Sequence, residues 1–187
     1  GLKINIKLKE DATLFHGRTY KILQAIHKMV KTEVQRLVDI GVLLPNPRLE
    51  WAAPSFAIPK KDGRIRFVSN FRQLNKRAKQ KRYPLLLIRE LIESIGALTF
   101  ASKIDLSMGY YHMPLDEESQ NTCTTVLPWG KCKHLRLPTG ISSAPDIFQH
   151  VMTDLLGDLE FVQVCMDDVL ITSYGSMEDH MENSGKC

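Results

Sequence analysis

The sequence predicts an α+β fold in which an antiparallel sheet carries carboxylates at one edge and helices pack behind it. Three observations lead there. Residues 161–173, FVQVCMDDVLITS, alternate apolar positions, set Asp167 and Asp168 side by side and return to an apolar run at Val169 and Ile171, the pattern of two short strands joined by a tight turn. Residues 98–106, LTFASKIDL, alternate in the same way and place Asp105 near the end of a strand. Segments of helical period stand between such strands, each with a residue that starts or stops it.

Taken in order, Ile22, Ile26, Met29 or Val30, Val34 and Leu37 or Val38 keep helical spacing, and Gly41 with Pro45 and Pro47 ends that helix. SFAIPKKDGRIRFVS, residues 55–69, reads as a hairpin turning at Asp62-Gly63, with Lys60, Lys61 and Arg64 at its tip. Pro84 opens a second helix with Leu87, Leu91 and Ile95 on one face and Gly96 closing it. A third begins at Pro145, with Ile147, Phe148, Val151, Met152, Leu155 and Leu156 as its buried stripe. In the final hairpin Val162, Val164 and Met166 share one face, and the two acids sit at the tip.

A chain of 187 residues that is 43% hydrophobic and 25% charged has ordinary globular composition, enough for one or two lobes with a core. It has no run of eighteen apolar residues, and its N-terminal stretch lacks an apolar signal core, so neither a membrane span nor secretion is indicated. It opens without Met, as a piece of a longer polyprotein or a chosen boundary would. The four cysteines show neither C-x-x-C nor zinc-finger spacing and read as reduced thiols, although Cys123 and Cys132 can face each other across a hairpin. The net charge is only +4, but residues 60–82 hold ten Lys or Arg against one Asp, a local +9 that leaves the rest at −5. Ile65, Phe67, Val68, Phe71 and Leu74 are interleaved with those charges, so the basic side chains belong to folded structure and point to a polyanionic partner bound through phosphates.

Two adjacent Asp residues at a turn need no explanation beyond the turn itself. A third carboxylate changes the reading. If the strand ending at Asp105 lies beside QVCMDD, three carboxylates from two distant positions meet at one sheet edge. Oxygen ligands without His or Cys favour Mg²⁺. Two such ions, roughly 3.5–4 Å apart, can activate a 3′-hydroxyl and stabilise a leaving pyrophosphate, which is nucleotidyl transfer. A metal-dependent hydrolase is the competing reading, and no nucleophile or general-base His near Asp105 or Asp167 supports it.

Four blocks in this order, EWAAPSFAIPKKDGRIRFVSNFRQLNKR, FASKIDLSMGYYHMPL, LPTGISSAPDIFQHVM and VCMDDVLIT, resemble the reverse transcriptase of Ty3/gypsy-type LTR retrotransposons, and the resemblance covers nearly the whole chain. It implies a right-hand polymerase with fingers at 1–83 and 115–143, palm at 84–114 and 144–187, and no thumb. The implied activity is RNA-directed DNA polymerase: extension of a DNA or RNA primer along an RNA template from deoxynucleoside triphosphates, with two Mg²⁺ ions or Mn²⁺ in their place. Asp105, Asp167 and Asp168 then form the catalytic metal-binding triad. Lys60 and Arg66 hold the triphosphate, Tyr110 floors the sugar pocket, and Thr139 and Gly140 complete the nucleotide site. Arg72, Asn75, Phe148, Gln149, Cys165 and Met166 are the implied template and primer contacts. The implied setting is a Pol polyprotein with thumb, RNase H, integrase and protease, active in DNA integration, with no membrane and a cytoplasmic, virus-like-particle or nuclear location.

Four positions depart from the family pattern. Cys165 stands where Tyr is usual, Thr139 where a larger residue is usual, and Asn70 where an Asp would partner Arg72; NTCTTVL, residues 121–127, lacks the usual Phe. The last residues, SYGSMEDHMENSGKC, resemble the segment that follows the double Asp, and the expectation for a chain stopping there is poor processivity. The alternative to a polymerase is a degraded relic that only binds nucleic acid.

Overall fold

The computed structural model describes residues 2–80, 83, 98–166 and 168–186. The helix expected from Pro84 to Gly96, Asp167 and the side chain of Cys165 lie outside the described residues. In chain order the described elements are α1 (Gln24–Asp39), β1 (Leu43–Pro45), β2 (Ala53–Pro59), β3 (Ile65–Ser69), α2 (Arg72–Arg77), β4 (Phe100–Asp105), a 3₁₀ turn (Gly109–His112), α3 (Glu117–Thr122), β5 (Thr124–Leu127), β6 (Gly130–His134), α4 (Ala144–Leu156), β7 (Val162–Cys165), β8 (Asp168–Ser173) and α5 (Met177–Gly185). They fall into two compact units, Gly1–Gln80 with Tyr110–Ala144, and Lys81–Gly109 with Pro145–Cys187.

The first unit is built on a five-stranded sheet ordered β1-β6-β5-β2-β3, antiparallel except where β2 meets β5. Helix α1 forms because its apolar residues recur every three or four positions, and it buries Val30, Val34 and Leu37 in a cluster with Leu43, Ile65, Phe67 and Leu127. It ends at Gly41, whose φ of +69° suits a residue without Cβ, while the Val42 N–H reaches back to the Leu37 carbonyl. The β2–β3 hairpin runs from Ser55 opposite Ser69 to Pro59 opposite Ile65, and Gly63, at φ +79°, makes the turn. The Asp62 carboxylate accepts from the Arg64 backbone N–H and from its guanidinium, so the tip is internally paired.

Beneath this sheet Ser55, Ser69 and Thr125, all buried, share hydrogen bonds through their hydroxyls. His134 lies beside them, 1% exposed, with Nε2 3.5 Å from the Ser69 hydroxyl and its ring edge-on to Phe71. Burial alone pushes its imidazole down to about 3. An imidazole whose pKa is lower folded than unfolded stabilises the fold above the unfolded value and loses that contribution as pH falls towards the folded one. Urea unfolding is therefore expected to show a loss on the order of 2 kcal/mol between pH 6.5 and pH 5, and His134→Gln should remove most of that slope. An unchanged slope in the variant would assign the pH dependence to other groups.

Cys123 and Cys132 are buried free thiols, and in the β5–β6 pairing Cys132 stands opposite Thr125 rather than opposite Cys123. Burial pushes both thiols up, so they are inert packing residues.

The second unit carries an antiparallel sheet ordered β4-β8-β7. The strand of Asp105 was expected beside the strand that precedes the double Asp; it lies instead beside β8, which follows it. Val169 and Ile171 on β8 are 3% and 0% exposed, so β8 is the central strand, and with β7 on one side through the hairpin only its other edge is open to β4. Helix α5 starts at a reciprocal cap between Ser176 and Asp179 and packs against β4 and β8. Its buried His180 bridges the Ser102 hydroxyl at 2.8 Å and the Ser173 hydroxyl at 2.9 Å, pinning β4 and β8 together. Helix α4 buries Phe148, Val151 and Met152, but Leu155, expected in the same stripe, is 69% exposed. Helix α4 is tied to β7 through Gln149, and its last turn runs past that contact.

Candidate active site

Asp105 is the last residue of β4 and Asp168 the first of β8, and the two stand directly opposite each other in the register. Residues opposed across an antiparallel pair project to the same face, so these carboxylates share one side of the sheet edge. Cys165 closes β7 on the other flank of Asp168. Asp167, expected to share a metal with Asp105, is outside the described residues, among which no group of three or more His, Cys, Asp or Glu converges. Two exposed carboxylates with no His or Cys beside them fit a hard divalent cation, and Mg²⁺ takes only one or two protein carboxylates. On the same face Lys103 Nζ sits 2.8 Å from Asp168 Oδ2. Its ammonium is held above the usual lysine value by that hydrogen bond first, then by the charges of Asp168 and Asp105.

The turn that leads from β7 to Asp168 is fixed from behind. Met166 takes φ +54°, which carries it out of the strand alternation; expected on one face with Val162 and Val164, which are buried, it is 43% exposed. Its N–H donates to Gln149 Oε1 at 2.8 Å, while Gln149 Nε2 donates to the Val164 carbonyl at 2.9 Å. Gln149 is 4% exposed and Phe148 1%; the Gln149 amide ties α4 to the end of β7 and to the Met166 turn, which agrees with the supporting role that the resemblance implies for this pair beside template contact.

The expected nucleotide and template residues of the first unit occupy the hairpin and two loops. Lys60 and Arg66 are exposed, the first at the turn and the second on β3 opposite Ile58. Arg72 is exposed too, so the replacement of its expected acidic partner by Asn70 leaves no buried charge unpaired. Asn70 accepts from the Arg72 N–H at 3.3 Å and donates to the Tyr20 hydroxyl at 2.8 Å. Asn75 donates to the Gly140 carbonyl at 2.8 Å and accepts from the Ser142 N–H at 2.9 Å, so its amide shapes the 140–142 loop. Gly140 has φ +97°, and a Cβ there would meet the Ser69 carbonyl at 3.3 Å, which makes glycine the fitting residue. Thr139 is half-buried and hydrogen-bonds the Tyr111 phenol, whose pKa is pushed up mainly by burial. Tyr110, half-buried, accepts the Met113 N–H at its carbonyl.

Tyr20, Phe56, Val68, Asn70, Arg72 and Gly140 line an open cleft of about 510 Å³, with Tyr20 and Phe56 edge-to-face at 6.0 Å. Neither Tyr20 nor Lys103 was singled out from sequence. Tyr20 sits in a segment without periodicity. Lys103 was detectable, standing two residues before Asp105 on a strand and hence on the same face.

A family model described as reverse transcriptase (RNA-dependent DNA polymerase) matches residues 58–186. The chain belongs to that family. It is 32% identical over 181 residues to the uncharacterized protein K02A2.6 of Caenorhabditis elegans and 30% identical over 180 residues to the transposon Tf2-3 polyprotein of Schizosaccharomyces pombe, in each case across 95% of its own length. It spans 14% and 13% of those two proteins. The crystal structure of prototype foamy virus protease-reverse transcriptase matches 98% of this chain with a TM-score of 0.84 at 24% identity, this chain covering 24% of that one. A foamy viral protease-reverse transcriptase in complex with double-stranded DNA matches 91% of it with a TM-score of 0.76 at 25% identity, over 29% of that chain. The α+β architecture is thus that of reverse transcriptase fingers and palm. Among the described residues no helix is long and apolar enough to cross a membrane.

Proposed function

We propose that this chain is the fingers-and-palm part of an RNA-directed DNA polymerase, with the first unit as fingers and the second as palm. The observation that carries the reading is the opposition of Asp105 and Asp168 on one face of the β4–β8 pair, in a hairpin whose sequence also supplies Asp167. Asp105, Asp167 and Asp168 would hold two Mg²⁺ ions, or Mn²⁺. When bound, such ions lower the pKa of a primer 3′-hydroxyl and neutralise charge on the leaving pyrophosphate.

The chain's own residues bind and orient. Exposed Lys60 and Arg66 suit a triphosphate, Arg as a bidentate fork and Lys as a compact charge. Tyr110, Thr139 and Gly140 are assigned to the nucleotide by resemblance, with Asn75 holding the Gly140 loop in place. The cleft beside Arg72 offers aromatic faces and a guanidinium, a setting suited to an unpaired template base and its phosphate. Cys165 and Met166, at the turn beside Asp168, are assigned to the primer side. Deoxynucleoside triphosphates, an RNA template, a DNA or RNA primer and the remainder of a Pol polyprotein are the proposed partners, in a cytoplasmic or particle-associated setting.

The test is primer extension on an RNA template with Mg²⁺ or Mn²⁺, comparing the chain with its Asp167→Asn/Asp168→Asn variant. Extension that vanishes in the variant is expected. Absent extension, with salt-dependent template binding intact, would favour a relic or an incomplete fragment, and adding the source element's thumb sequence decides between the two.

A further inference from the structure

Lys103 is placed where a metal-binding face would least tolerate a cation by chance. It precedes Asp105 by two positions on β4, so both project to the same face, and the register sets Asp105 opposite Asp168 and Lys103 opposite Leu170. Asp168 is therefore the direct neighbour of Asp105 and the diagonal neighbour of Lys103, within reach of a long side chain. The ammonium takes up that reach, 2.8 Å from Asp168 Oδ2. Both partners are about half exposed or more, at 62% and 46%, and ion pairs in such settings contribute little to folding. What the contact does change is the charge seen by anything else that approaches Asp168.

We propose that Lys103 is an internal counter-cation that competes with divalent metal for Asp168, so that metal binding must displace its ammonium from Oδ2. The inference rests on the proposed reading of Asp105 and Asp168 as metal ligands. With the ammonium in place, one carboxylate oxygen is occupied and the pair's net negative charge is halved. The free protein then holds metal weakly. Mg²⁺ sites of this kind are completed by substrate phosphates, so a protein with low intrinsic affinity loads its metal chiefly together with a triphosphate. Lys103 is thus a positioning residue that acts through Asp168.

The test is Mn²⁺ binding to the full chain in low salt, with free Mn²⁺ measured by electron paramagnetic resonance, in wild type, Lys103→Met, Lys103→Arg and Asp105→Asn. Lys103→Met is expected to bind about three- to tenfold more tightly than wild type, by removal of a like charge and a competitor within a few ångströms. The gain should shrink as salt screens the site. Lys103→Arg, which keeps the charge and the pairing, should restore wild-type affinity. Asp105→Asn should weaken binding in every background. Binding that responds to Asp105→Asn but is unchanged or weakened by Lys103→Met would overturn the competition and leave the metal reading standing. Binding indifferent to Asp105→Asn would place the metal elsewhere and remove both. The side chain of Lys103 is well exposed, and its loss is not expected to disturb folding, which circular dichroism of each variant checks.

Discussion

Gln149→Leu is expected to lower the melting temperature of the chain by about 5–10 °C, corresponding to roughly 2–3 kcal/mol in a chain of this size. Leucine fills similar space but leaves the Met166 N–H and the Val164 carbonyl without the amide that joins them. An unmet buried polar group costs its desolvation, and here the loss falls on a turn already carrying Met166 at φ +54°. Met166 and the residues after it should lose protection from hydrogen exchange more than β4 does. Gln149→Glu separates the two bonds: one oxygen still accepts from Met166, while the other faces the Val164 carbonyl with no proton to give at neutral pH. At neutral pH it should destabilise at least as much as Leu, because a buried carboxylate then faces a carbonyl oxygen, and it should recover towards wild type as falling pH supplies the missing proton. A Gln149→Leu protein that melts within about 2 °C of wild type would show that the hairpin is held by strand pairing alone.

Asp105→Asn is expected to reduce primer extension by about a thousandfold or more, the equivalent of roughly 4 kcal/mol of transition-state stabilisation. The amide keeps the size of the side chain and removes its charge. Asp105 is exposed and ends its strand, so the melting temperature should stay near that of wild type. Loss of extension with an unchanged melting curve separates a chemical role from a structural one. Retained extension would exclude Asp105 from the metal site, whatever Asp167 and Asp168 do.

What the sequence made legible was local. The Asp62-Gly63 turn, the apolar spacing of α1 and the alternation ending at Asp105 each follow from period and turn chemistry within a short window. Strand neighbours do not. Alternation tells which residues of 98–106 share a face, but it carries no information on whether that strand joins β7 or β8, a choice fixed by which edge of the hairpin is open. Met166 continues the alternation on paper, and the chain leaves it one residue earlier than the pattern suggests. Polar side chains were the least legible, because their partners are distant in sequence. The resemblance names Asn75 and Gln149 as template or primer contacts; that their amides also hold the 140–142 loop and the Met166 turn was not visible in the sequence. The loss of an acidic partner for Arg72 could be read from the sequence, but the exposure that makes the loss cheap could not. Lys103 marked only the polar phase of its strand until the register set it beside Asp168.

The central claim is that Asp105 and Asp168 hold divalent metal for nucleotidyl transfer. The most direct measurement is anomalous diffraction from crystals of the chain soaked in Mn²⁺ together with a deoxynucleoside triphosphate. A peak within about 2–2.5 Å of carboxylate oxygens from both Asp105 and Asp168 is expected. A fully ordered β4–β8 edge with no manganese on either carboxylate, or manganese bound only elsewhere, would contradict it.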